Sequence, residues 1–141
     1  MQRLVLDTDV IVAAVRSASG GSNALLQEIV TRRLKILLTP ALFLEYEAVL
    51  KRPEQRLVHG LDLQTIDLAL SAIADLGEAV DVAFQWRPQL RDANDEMVLE
   101  AAINGAADAL VTHNVKDFAE AAAKFGLRVL KPGQVLKEIR S

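Results

Sequence analysis

The sequence predicts an α/β fold: a three-layer α/β/α sandwich around a parallel sheet of four or five strands. Two observations carry this. Five short apolar runs, at 4–6, 35–38, 79–82, 109–111 and 128–130, alternate with segments of helical periodicity, the pattern of a parallel sheet covered by helices. Most of the helical segments also open on a cap residue or proline and several close on glycine. The chain has 141 residues, 51% of them hydrophobic, enough for one domain with its own core.

Taken in order, the run LVL at 4–6 leads straight into Asp7. Both its faces are apolar, which makes this strand central in the sheet. A helix over 10–15 follows almost at once, and either Asp7 or Asp9 is suited to cap it. SASGGS is a flexible loop before a helix over 23–33. After the second strand, Thr39 is an N-cap with Pro40 at the first helical position, and that helix runs to about Arg52. Asp62 caps a helix over 63–76 that ends at Gly77. Asp92 caps 93–104, closed by Gly105, and Asn114 caps 115–125, closed by Gly126. Pro132 opens a last short helix. No repeat, linker or low-complexity segment interrupts 1–141, so one domain is expected.

Composition excludes several classes. There is no cysteine, hence no disulfide and no cysteine-based zinc site. His59 and His113 are the only histidines, too few for a histidine-rich metal site. A net charge of −3 provides no global basic field for nucleic acid, so any such binding needs a local patch. No apolar run reaches the ~20 residues of a membrane span. The opening MQRLVLD enters a strand directly and does not resemble a signal peptide. The expectation is a cytoplasmic protein without membrane association.

Four acids stand where a globular chain would normally place something else. Asp7 ends an apolar run and should sit at the rim of the core. Glu45, counted at 100° per residue, neighbours Ala41, Leu42, Ala48 and Val49 and faces or borders the core. Glu47 is the contrast: Lys51 lies four residues on and makes an ordinary surface pair. Asp92 is explained by capping, but Asp95 stacks with Val98, Leu99 and Ala102, while Glu96 and Glu100 take the solvent side. Buried carboxylates are costly unless paired, hydrogen-bonded or bound to a cation, and no matching Lys or Arg accompanies these. A hard divalent metal ion suits them. Ligands of open parallel sheets bind beyond the carboxyl ends of the strands, where Asp7, the Asp92–Asp95 pair and Thr112-His113-Asn114 can converge. Thr112 and Asn114 are candidates to orient a water. Asp117 is favourably placed for its helix dipole. His113 reads as a solvated loop residue.

At this point the chain resembles the PIN-domain family, especially its bacterial toxin–antitoxin branch (VapC-like). The resemblance rests on LVLDTDVIVAA, GGSNALL, LTPALFLEYEAVLKRP, RDANDEMVLEAAINGAADALVTHNVKDF and LKPGQVL. It implies a metal-dependent ribonuclease using Mg²⁺ or Mn²⁺, with Asp7, Glu45 and Asp95 as the catalytic acids and Asp92 beside them as a metal ligand. It also implies a homodimer and a cognate antitoxin that blocks the acidic cleft. The chain departs from the family pattern at two places. Asn114 occupies a position that is Asp in many members, with Asp117 one helical turn on. Asp9 stands where Asn is common and adds a carboxylate.

RNA needs positioning charge. Lys51, Arg52 and Arg56 cluster after the Glu45 helix, and Trp86, Arg87 and Arg91 precede Asp92. An indole flanked by arginines is suited to stack a base and hold phosphate. Two other readings fit parts of the sequence. LVLDTDVIV nearly matches the Asp-x-Asp opening of haloacid-dehalogenase-like phosphatases, with Asp7 as nucleophile and Asp9 as acid. That reading leaves Glu45 unexplained and lacks a well-placed lysine before RDAND. A PIN-like binding module with weakened catalysis is consistent with Asn114.

Overall fold

A computed structural model describes residues 1–83, 85, 90 and 92–140. The elements run β1 (Gln2–Leu6), α1 (Thr8–Arg16), α2 (Gly21–Val30), β2 (Leu34–Leu38), α3 (Pro40–Leu50), α4 (Pro53–His59), α5 (Leu63–Leu76), β3 (Glu78–Ala79), α6 (Ala93–Asn104), β4 (Ala109–Val111), α7 (Val115–Lys124), β5 (Val129–Leu130) and α8 (Pro132–Arg140). The five strands form one parallel sheet in the order β3-β2-β1-β4-β5. This is the expected α/β/α sandwich, with β1 central. Leu4, Val5, Leu6, Ala109, Leu110 and Val111 are each at most 1% exposed. Alternate side chains of a strand point to opposite faces, so both faces of β1 and β4 are covered.

The strand order matters for the site. From β1 the chain first builds outward through β2 and β3, then returns to the other side of β1 for β4 and β5. The direction therefore reverses between β1 and β4, and the crevice beyond their carboxyl ends is where such sheets bind ligands. Leu6 pairs with Val111, which brings the next residues, Asp7 and Thr112, to that crevice together.

Several boundaries differ from expectation. The helix expected to reach Arg52 ends at Leu50, and a separate helix starts at Pro53. Proline lacks an N–H and restricts the residue before it, so it starts a new helix more readily than it continues one. Gly60, at φ 72°, closes that helix. α2 stops at Val30 rather than Arg33, because Arg32 adopts a left-handed φ of 63°. The third strand is Glu78–Ala79 rather than 79–82; Val80 continues its bonding, through its N–H to the Leu38 carbonyl.

Close packing fixes one glycine. A Cβ on Gly77 would lie 2.4 Å from the Leu38 Cδ1 and 3.1 Å from the Ile73 carbonyl. Leu38 is itself buried. Gly77→Ala is therefore expected to lower stability by about 1–3 kcal/mol through overpacking, read as a fall in urea midpoint at unchanged m-value.

Candidate active site

Each acid reaches the crevice for a local reason. Asp7 follows β1 and becomes the N-cap of α1: its Oδ1 accepts from the Thr8 N–H at 2.8 Å. Its Oδ2 accepts from the Thr112 hydroxyl at 2.7 Å. Asp7 is buried. Burial pushes its carboxyl up to about 7, the Asp9 and Asp95 charges push the same way, and the Thr112 and Thr8 hydrogen bonds oppose them. Glu45 is half-buried on α3 beside Tyr46, whose ring is fully buried and whose hydroxyl donates to the Leu6 carbonyl. That bond fastens α3 to the end of β1 and so fixes where Glu45 sits. Burial, reinforced by the Asp7 charge, raises the Tyr46 hydroxyl well above its ordinary value, which keeps it a donor.

Asp92 is exposed and caps α6, accepting from the Asn94 N–H at 2.8 Å. Asp95, in the first turn of α6, is half-buried. Burial lifts its carboxyl to about 6, followed by the charges of Asp92, Asp117 and Asp9. Glu96 and Glu100 do not take the solvent side: both are buried. α6 packs against α3, α7 and the central strands at once, so no flank of it is wholly wet.

Asp9 is the hub that the sequence underrated. Its Oδ2 accepts from the His113 N–H at 3.1 Å and the Asn114 side-chain amide at 3.0 Å. The Thr112 hydroxyl is 3.4 Å from the same oxygen. A hydroxyl has one proton, so the short bond to Asp7 takes it and Asp9 receives the weaker share. The Thr112 oxygen also accepts from the Asn114 N–H at 2.9 Å. Asn114 stands at the N-cap position of α7, but its side chain makes no capping bond; it holds Asp9 instead. His113 is exposed but not merely solvated, since its Nε2 lies 2.9 Å from the buried Ser22 hydroxyl.

Asp7, Asp9, Glu45, Asp92, Asp95 and Asn114 line one open cavity of about 390 Å³. A neighbouring cavity of about 610 Å³ shares Asp92 and Asp95 and adds Asp117. Asp7, Glu45 and Asp95, the three acids the resemblance singles out, thus share one cavity. Among the described residues, no three acidic or histidine side chains are placed to hold a metal ion together. Like charges repel, and several of these carboxylates turn to protein donors instead: Asp7 to Thr8 and Thr112, Asp9 to His113 and Asn114, Asp92 to Asn94.

The donor set nevertheless fits a hard divalent cation. Every available ligand is oxygen, and Asp9 Oδ1 is buried without a hydrogen-bond partner. Asp7 and Asp95 ionise reluctantly, and an adjacent cation favours their charged forms.

Of the basic residues expected near RNA, Lys51 is engaged by Glu47 at 3.0 Å and Asp67 at 2.7 Å. Arg52 is the exposed N-cap position of α4. Arg56 lies in a separate groove with Pro53, Leu57 and Leu61. Trp86, Arg87 and Arg91 fall outside the described residues. Two cavity-lining residues, Arg16 and Gln55, were not anticipated. A helical count from Asp9 would have found Arg16, seven residues on and on the same face.

A family model for the PIN domain matches residues 3–116. The chain belongs to the PIN-domain family. PIN domains are typically nucleases and generally use divalent metal ions. In this PIN domain the matched segment runs from β1 to the start of α7 and contains Asp7, Asp9, Glu45, Asp92, Asp95, Thr112 and Asn114, with Asp117 just beyond it. A comparison with curated proteins gives no match. Among the described residues, no single helix is long and apolar enough to cross a membrane.

Proposed function

We propose that this PIN domain is a Mg²⁺- or Mn²⁺-dependent endoribonuclease that hydrolyses RNA phosphodiester bonds, and that it is the toxin of a toxin–antitoxin pair. The observation that carries the nuclease reading is the gathering of five carboxylates, from β1, α1, α3 and α6, around one cavity at the sheet's switch point. Asp7, Glu45, Asp92 and Asp95 are the proposed metal ligands, and Asp7, Glu45 and Asp95 the catalytic acids. When bound, the divalent ion supplies positive charge against phosphate oxygens and acidifies water.

The chain's own residues do the rest. Thr112 and Thr8 fix the Asp7 carboxylate by its two oxygens. Asn114 and the His113 N–H fix Asp9, leaving Asp9 Oδ1 free of protein donors. Asp95 lines the cavity and is suited to hold the ion or to take a proton from the attacking water. In the metal-free protein burial and then the Asp92 charge raise the Asp95 carboxyl, and the Asp117 charge adds to them. Arg52, with Trp86, Arg87 and Arg91, is proposed to contact RNA. The cognate antitoxin and the homodimer rest on the resemblance of the five sequence segments to the toxin branch.

The test is cleavage of single-stranded RNA by purified protein with Mg²⁺ or Mn²⁺, stopped by EDTA. Asn114 favours one second reading, a PIN-like module with lost turnover, which predicts Mn²⁺ binding without cleavage of any RNA. Asp95 and Asn114, on the α6–α7 side, separate by effect. Asp95→Asn is expected to lower kcat far more than Asn114→Ala, because an amide positions Asp9 but contributes no charge to hold a cation. Equal losses in steady-state kinetics would contradict these roles.

A further inference from the structure

We infer that Arg16 is a substrate-positioning residue that grips an RNA phosphate beside the one being cleaved; this rests on the nuclease reading. α1 presents Asp9, Val12, Ala13 and Arg16 along one face of the acid cavity, the i, i+3, i+4, i+7 spacing of a helix stripe. The stripe thus has a carboxylate at one end and a guanidinium at the other. Seven residues separate them, about 10 Å at about 1.5 Å per residue. Arg16 is the one basic side chain among the described residues that line this cavity.

Its surroundings make the position informative. A guanidinium among carboxylates would ordinarily pair with one of them. Arg16 is exposed, and among the described residues it makes no hydrogen bond or ion pair. Asp7 and Asp9 accept from hydroxyl and amide donors instead. Gln55, also in the lining, adds a carbonyl oxygen that is buried without a partner, so it does not hold Arg16 either. An unpaired fork-shaped donor two helical turns from Asp9, on the wall of the same cavity, is suited to a phosphate oxygen. A strand lying along α1 would then place one phosphate at the carboxylates and another at Arg16.

The competing role is structural, because Arg16 occupies the last turn of α1 and a cation there favours the helix dipole. The experiment separates them. Binding of a fluorescein-labelled single-stranded oligoribonucleotide to Asp7→Asn protein in Mg²⁺ is followed across a range of salt concentrations. Adding Arg16→Gln is expected to weaken binding about five- to tenfold and to flatten the slope of log Kd against log salt by about 0.7, the loss of one phosphate contact. Arg16→Lys is expected to restore the slope. Unchanged Kd and slope, with RNA cleavage by the wild type intact, overturns the role of Arg16 and leaves the nuclease reading standing. Equal weakening by Gln and Lys with a lowered melting temperature overturns it in favour of the structural role. Failure of the parent to bind RNA together with failure of the wild type to cleave it overturns both.

Discussion

Asp7→Asn is expected to make the metal-free protein more stable at neutral pH while destroying its activity. The Asp7 carboxyl is raised from 3.8 to about 7, chiefly by burial and then by Asp9. A group whose folded value lies above its unfolded one contributes stability that is fully present below the unfolded value. That stability is lost as pH rises through the folded value. Wild-type stability in EDTA should therefore fall from about pH 4 to about pH 7, and the asparagine variant should lack this part of the fall. A displacement of about three units corresponds to at most about 4 kcal/mol by linkage. Part of this is offset by the changed hydrogen bonds.

The offset is small for a structural reason. The new amide can keep its oxygen on the Thr8 N–H and donate its nitrogen to the Thr112 oxygen. The Thr112 hydroxyl can then rotate its proton to Asp9, 3.4 Å away. A net gain of about 1–3 kcal/mol at pH 8, vanishing near pH 4, is the expected urea-unfolding result. A variant less stable than wild type throughout that range would mean that Asp7 is a structural cap and carries no strain.

Thr112→Val is expected to have the second-largest effect. The side chain is fully buried, and its hydroxyl serves two partners: it donates to Asp7 and accepts from the Asn114 N–H. Valine keeps the shape and removes both bonds. Leaving buried polar groups unsatisfied costs about 1–3 kcal/mol. The Thr112 hydrogen bond also holds the Asp7 carboxyl down, so its loss shifts Asp7 further toward the protonated form. A metal ion competes with that proton. Mn²⁺ affinity should therefore weaken at neutral pH and recover as pH rises, a trend that isothermal titration at several pH values reads directly. A pH-independent loss would assign Thr112 to packing alone.

Much of this architecture was legible in the sequence because its signals are local. LVLD announces a strand that ends at an acid, and the Thr39-Pro40 and Asp62 caps appear where the rules for helix starts place them. Counting around a single helix puts Glu45 facing or bordering the core, and it is half-buried. The Glu47–Lys51 pair forms as its spacing implies.

What was missed depends on long-range contact. α4 has no buried residue, so PEQRLVH carries no apolar period to detect. A helical wheel assumes one wet face and so puts Glu96 and Glu100 in solvent, whereas α6 is packed on several sides. The Ser22–His113 contact joins residues 91 apart in sequence. Asp9 gains its partners from a loop more than one hundred residues downstream. Neither has a trace in local pattern. The acids were found one by one; the hydrogen bonds that orient them come from the return of the chain at β4.

The central claim is that this acidic crevice hydrolyses RNA with a divalent cation. The measurement that bears on it most directly follows a labelled single-stranded RNA with two proteins purified by identical steps, wild type and Asp7→Asn. Both are stripped with EDTA and then supplied with Mg²⁺ or Mn²⁺. The account predicts that stripped wild type is inactive, that added metal restores cleavage, and that Asp7→Asn stays inactive at every metal concentration while remaining folded. Full cleavage by Asp7→Asn in preparations free of contaminating ribonuclease, or wild-type cleavage that persists in EDTA, would contradict it.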